Sequence, residues 1–121
     1  VCRFRVRSEL DGFTPYRRVN AEWQSFTSDL GGDEEDREFD RDAFLALLGQ
    51  YFESAKLSSD WDAMRDAETE LLINSLSMMC PFSVEERQAL LEAPRLADRR
   101  ETLSALMQFA IASGGGSGVV Q

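Results

Sequence analysis

The chain has 121 residues, 43% of them apolar, enough for one modest domain with a small core. A formal charge of −9 argues against non-specific binding to phosphate backbones, and no apolar run approaches the ~20 residues of a membrane span. Histidine is absent, so a Ser-His-Asp or Cys-His centre has no base.

Residues 1–9 (VCRFRVRSE) alternate, with Cys2, Phe4 and Val6 on one side and Arg3, Arg5 and Arg7 on the other. That is the period of a half-buried strand. The chain opens at Val1 already inside this pattern, as expected of a fragment whose preceding strands are missing. Asp11-Gly12 and Pro15 supply turn chemistry. A second strand fits residues 16–23, with Val19, Ala21 and Trp23 on one face. Two strands alone are marginal in water, so they need partners.

Residues 27–39 read as an acidic linker: Gly31-Gly32 precede Asp33, Glu34, Glu35 and Asp36, a run expected to be solvated. It lacks the ligand spacing of a calcium loop, and an exposed run offers no burial to shift a carboxyl group for acid–base work. The β portion is therefore assigned to residues 1–26 and a helical bundle to residues 40–112.

Asp40 is a good N-cap for a helix carrying Phe44, Leu47, Leu48, Tyr51, Phe52 and Ala55, with Phe39 and Phe44 placed as a hydrophobic staple. Ser59 would cap a short helix around Trp61 and Met64. A third helix runs from about Glu68 to Met79, with Leu71, Leu72, Ser75, Leu76 and Met79 along its stripe. Ser83 and Glu86 form a capping box, a device whose loss costs about 1 kcal/mol, for a fourth helix ending near Pro94. The last helix spans about Leu96 to Ala112 and directs Leu96, Leu103, Leu106, Met107, Ala110 and Ile111 to the core. Residues 113–121 read as a flexible glycine-serine tail. The architecture expected is α+β, a short strand pair followed by a bundle of four or five helices.

Few of these residues carry chemistry. Lys56 is the only lysine and sits on the polar side of a helix end, and no glycine-rich phosphate loop is present. Cys2 and Cys80 fit no metal spacing, and two unpaired thiols suit a reducing, cytoplasmic setting. No cofactor or metal is implied. Arginines with Phe4 between them suggest nucleic-acid contact, but alternation puts Phe4 on the opposite face.

The segment Asn74-x-Leu76, Pro81-Phe82, Glu86-Arg87-Gln88-x-Leu90-Leu91-Glu92 resembles a helix–turn–helix corner of the substrate-binding N-terminal domain of Lon-type ATP-dependent proteases. Arg3-Phe4-Arg5-Val6 with Glu9, and Pro15-Tyr16-Arg17 leading to Trp23, are similar to that family's consecutive strands. Arg99 with the Leu103/Leu106 stripe is similar to its closing helices. The resemblance implies the end of a PUA-like pseudo-barrel followed by the helical bundle, as in stand-alone bacterial Lon-domain proteins without ATPase or protease domains. It also implies a non-catalytic module that holds unfolded or tagged polypeptide clients, as an adaptor to a protease. Phe4, Tyr16, Trp23 and Phe82 would line the peptide-binding groove. The rival expectations are a nucleic-acid-binding fragment and a structural bundle that forms a homodimer.

Overall fold

The computed structural model describes residues Val1–Gly114, so the expected tail lies, from residue 115 onward, outside the described residues. The chain divides into two compact units, Val1–Glu34 and Glu35–Gln121. Strands and helices together make an α+β protein.

In the first unit, β1 (Arg5–Leu10) and β2 (Arg18–Glu22) form an antiparallel ribbon, followed by two 3-10 turns over Gln24–Leu30 that break at Phe26. The pairs are Arg5 with Glu22, Val6 with Ala21, Ser8 with Asn20, Glu9 with Val19 and Leu10 with Arg18. Arg7 is the extra residue of a bulge between Val6 and Ser8. A bulge inserts one residue, so side-chain parity inverts beyond it: Glu9 joins the face of Val6, and Leu10 that of Arg5. The strict alternation expected for residues 1–9 therefore stops at Arg7. β1 is also exposed along its whole length rather than half-buried, because no layer among the described residues of this unit covers it.

The one buried residue of this unit is Phe26. The guanidinium of Arg3 lies 4.5 Å from its ring centroid and that of Arg5 lies 5.7 Å away, both within cation–π range. Arg3 also clamps Asp29 with two guanidinium bonds of 2.9 and 2.8 Å and a backbone N–H bond of 2.8 Å. Residues 27–30, expected to belong to the linker, instead complete this unit through Asp29.

The second unit contains α1 (Arg41–Ser54), α2 (Trp61–Asp66), α3 (Thr69–Met79), α4 (Val84–Glu92) and α5 (Leu96–Ala112). α5 is the central helix and packs on α1, α3 and α4. Its Leu96, Leu103 and Met107 are wholly buried with Leu48 of α1 and Ile73 of α3. Asp40 caps α1 by accepting from the Ala43 N–H at 3.1 Å, and the Phe39 and Phe44 rings stand 5.4 Å apart as the staple requires. The Ser83–Glu86 box is complete in both directions. α2 is capped by Asp60 rather than Ser59: the Asp60 carboxylate accepts from the Ala63 N–H at 3.1 Å. This short helix is tied down by Trp61, whose ring lies 5.5 Å from that of Phe52, and by Arg41, which donates to the carbonyls of Met64, Arg65 and Ala67.

On α3 the buried row is Leu72, Ile73 and Leu76, while Leu71 and Met79 are exposed, so the expected stripe is rotated on the helix. The acidic run is not uniformly solvated either. The Asp36 carboxylate is only 2% exposed and bonds Arg100 Nε of α5 at 2.5 Å.

α1 ends in a Schellman arrangement: the Leu57 N–H reaches the Phe52 carbonyl at 2.8 Å and the Lys56 N–H reaches that of Glu53 at 3.2 Å. The left-handed position falls on Lys56, with φ of 56°. A side chain there costs roughly 1 kcal/mol that glycine avoids. Lys56→Gly is accordingly expected to raise the unfolding free energy by about 1 kcal/mol, read as a higher urea midpoint at unchanged m.

Candidate peptide-binding site

The four residues expected to line a groove fall into three places. Phe4 and Trp23 stand one step beyond the terminal Arg5–Glu22 pair, at the same end of the ribbon, and are 57% and 59% exposed. Tyr16 lies in the connection between β1 and β2, at the opposite end, and is also exposed. Five ladder pairs separate the two ends, a distance of roughly 15–20 Å at strand rise.

Phe82 belongs to the other unit and is 8% exposed, its ring stacked on Tyr51 at 6.0 Å between centroids. Its assignment to an exposed groove is corrected: it is a core side chain. The physical reason is local. Pro81 ends α3, the capping box starts α4, and the intervening Phe82 is turned inward against Tyr51, in the same core cluster as Cys80.

The ribbon adds apolar residues that the sequence reading did not assign to the groove. Val6 and Val19 lie on the face shared with Ala21, both exposed. Phe13, in the Asp11-Gly12-Phe13-Thr14-Pro15 connection, is fully exposed. Its signal was present: an aromatic side chain inside a turn-forming stretch has no strand or helix face to carry it into a core. Among the described residues the sheet has two strands only, so β1 and β2 each keep an outer edge of backbone donors and acceptors.

Two of the arginines are paired to carboxylates of their own unit. Arg3 is bound to Asp29, and Arg17 makes two bonds to the Glu9 carboxylate, at 2.8 and 2.9 Å. The Arg17 bonds hold the Glu9 carboxyl below its usual range. Hydrogen bonds from Ser25, its backbone N–H first, do the same for Glu22. Both carboxylates are ionised at neutral pH and offer no general acid.

No group of three or more His, Cys, Asp or Glu side chains among the described residues is placed to hold a metal ion. Nor is any helix of the described residues long and apolar enough to cross a membrane.

The groups with the largest shifts sit beside Phe82. Burial pushes the Tyr51 hydroxyl up to about 12, helped by the neighbouring Cys80 and Glu86, and pushes the Cys80 thiol up to about 11. Both hold their protons more tightly folded than unfolded, where the ordinary values are 10.0 and 9.0. Their contribution to stability is therefore complete below about pH 9 and is lost as pH rises towards 11–12. The melting temperature is expected to fall between pH 8.5 and 11, and Cys80→Ala to flatten the lower part of that fall. A Tm independent of pH across this range contradicts the burial of both groups.

Comparison with protein-family models, curated proteins and solved structures finds nothing that matches this chain.

Proposed function

We propose that the chain is a non-catalytic module that binds extended polypeptide, with the β1–β2 ribbon as its contact surface. The observation that carries this reading is the ribbon itself: Phe4, Val6, Val19 and Trp23 are exposed on a short sheet whose two edges have open backbone groups. An extended client strand matches both features, its backbone pairing along an edge and its alternate apolar side chains meeting the exposed face. The resemblance to the Lon substrate-binding domain points to the same class of client, unfolded or tagged segments, and to a protease as the downstream partner.

The nucleic-acid alternative has less support in the geometry. Arg3 and Arg17 are paired to carboxylates, Arg3 and Arg5 lie over Phe26, and the chain carries a net charge of −9.

The test is a titration of the full chain with a labelled, permanently unfolded protein and with labelled single-stranded RNA, each at two salt concentrations. Saturable, weakly salt-dependent binding of the unfolded protein is expected, with loss of at least tenfold in affinity (about 1.4 kcal/mol) in Phe4→Ser/Trp23→Ser. Salt-sensitive RNA binding without client binding overturns the reading.

A further inference from the structure

A second apolar surface lies on the helical unit, at the corner between α3 and α4. On α3, Leu71 and Met78 stand seven residues apart, in one row outside the buried set Leu72, Ile73 and Leu76. Met78 and its neighbour Met79 are 76% and 75% exposed. On α4, Val84 and Leu91 repeat the seven-residue spacing, again outside the core, with Val84 80% exposed. The two helices pack on each other and are joined by residues 80–83, so both rows flank one corner. The fold does not need these side chains: the corner is held from within by Cys80, Phe82 and Leu90, and by the capping box.

The charge along the two helices is mainly negative. Between Glu68 and Glu92 the sequence has five carboxylates, Glu68, Glu70, Glu85, Glu86 and Glu92, and one cation, Arg87, while the buried Arg99 of α5 reaches the corner from within. The residues from 35 onward as a whole carry sixteen acidic and eight basic side chains, a net charge of −8. Methionine suits such a surface, because its unbranched, polarisable chain re-packs around different apolar partners. Cationic side chains edging those partners would meet the flanking carboxylates.

We propose that the α3–α4 corner is a docking face for an amphipathic helix of another protein whose apolar stripe is edged by lysine and arginine. A second copy of this chain fits the face poorly, since it would bring one acidic corner against another. Nucleic acid is repelled by the same charge. The proposed face belongs to the helical unit and draws on no residue of the ribbon.

The probe is a designed Leu/Lys amphipathic peptide of about five helical turns, labelled for anisotropy and titrated into the full chain. Its Leu/Glu counterpart, with the same apolar stripe, is the control. The Leu/Lys peptide is expected to bind saturably and more weakly as salt rises, and the Leu/Glu peptide at least tenfold more weakly. Met78→Ser/Met79→Ser/Val84→Ser is expected to weaken Leu/Lys binding at least tenfold with an unchanged thermal melt, since all three side chains are exposed. Phe4→Ser/Trp23→Ser should leave Leu/Lys binding intact while removing the unfolded client, so this proposal and the ribbon reading fail separately. In the unmutated protein, bound Leu/Lys peptide should slow oxidation of Met78 and Met79 to sulfoxides, read by mass spectrometry. Equal binding of the two peptides, undiminished binding by the triple variant, or unchanged methionine oxidation overturns the proposal. So does a concentration-dependent dimer that the triple variant abolishes.

Discussion

Replacing Arg99 with alanine is expected to lower the unfolding free energy by about 4 kcal/mol, read as a fall in the urea midpoint. The side chain is only 9% exposed. Its Nη1 donates to Asn74 Oδ1 of α3 at 2.6 Å, and its Nε and Nη2 donate to the carbonyls of Leu90 and Ala93 at 3.3 Å. Those two carbonyls lie at the C-terminal end of α4, where backbone acceptors have no intrahelical donor and the helix dipole favours a cation. One guanidinium thus joins α3, α4 and α5. Truncation strands two buried carbonyls and the half-buried Asn74 Oδ1, a buried acceptor being worth about 1–3 kcal/mol when left unsatisfied, with partial recovery through entering water. Arg99→Lys should recover only part of the loss, because a single ammonium cannot span the three acceptors in the guanidinium's planar geometry. A loss under about 1 kcal/mol for Arg99→Ala contradicts this account of the corner.

Asp36→Ala is expected to cost about 3 kcal/mol. Besides its bond to Arg100, the carboxylate accepts from the Glu38 N–H at 3.2 Å, while the Asp36 carbonyl accepts from the Phe39 N–H at 3.3 Å. The residue therefore sets the turn that delivers Phe39 and Asp40 to the start of α1, and anchors that turn to α5. Removing the carboxylate leaves the Arg100 guanidinium, 16% exposed, without its closest anion. Asp36→Asn keeps an acceptor for the turn but loses the charge, and should fall between the wild type and Asp36→Ala. Asp33→Ala, in the same acidic run, is expected to change stability by less than about 0.5 kcal/mol, as an exposed substitution does. Equal effects at both positions would mean that Asp36 is as solvated as its neighbours.

These two residues mark where the sequence was harder to read. Asp36 carries no local signal that separates it from Asp33, Glu34 and Glu35, and its partner is 64 positions away. Arg99, by contrast, lies on the buried row of α5 between Leu96 and Leu103, three and four residues from each. Periodicity places it inside, but in the sequence it stood out only through the resemblance of the closing helix, not as a buried cation. The helix boundaries were more legible because short-range chemistry sets them: the Asp40 cap, the Ser83–Glu86 box, and Pro81 and Pro94 at the breaks. α3 was misread in phase because Leu71, Leu72, Ile73, Leu76, Met78 and Met79 are apolar on nearly every side, so no single stripe stands out.

In the ribbon the two strands were legible and the bulge was not. Arg7 supplies no glycine to mark it, and one inserted residue is enough to invert every side-chain assignment that follows. Of the four candidate residues, Phe4 and Trp23 lie at one end of the ribbon, Tyr16 lies at the other, and Phe82 is drawn into the core by the same Pro81–Ser83 corner that made it conspicuous.

Amide hydrogen exchange on the full chain, with and without an excess of unfolded client, localises the contact directly. If the ribbon holds an extended polypeptide, amides within residues 5–10 and 18–22 gain protection on client addition, while those of the buried face of α5 do not change. Protection of the ribbon by RNA alone, or no protection of either strand at saturating client, would contradict the assignment of this sheet to polypeptide binding.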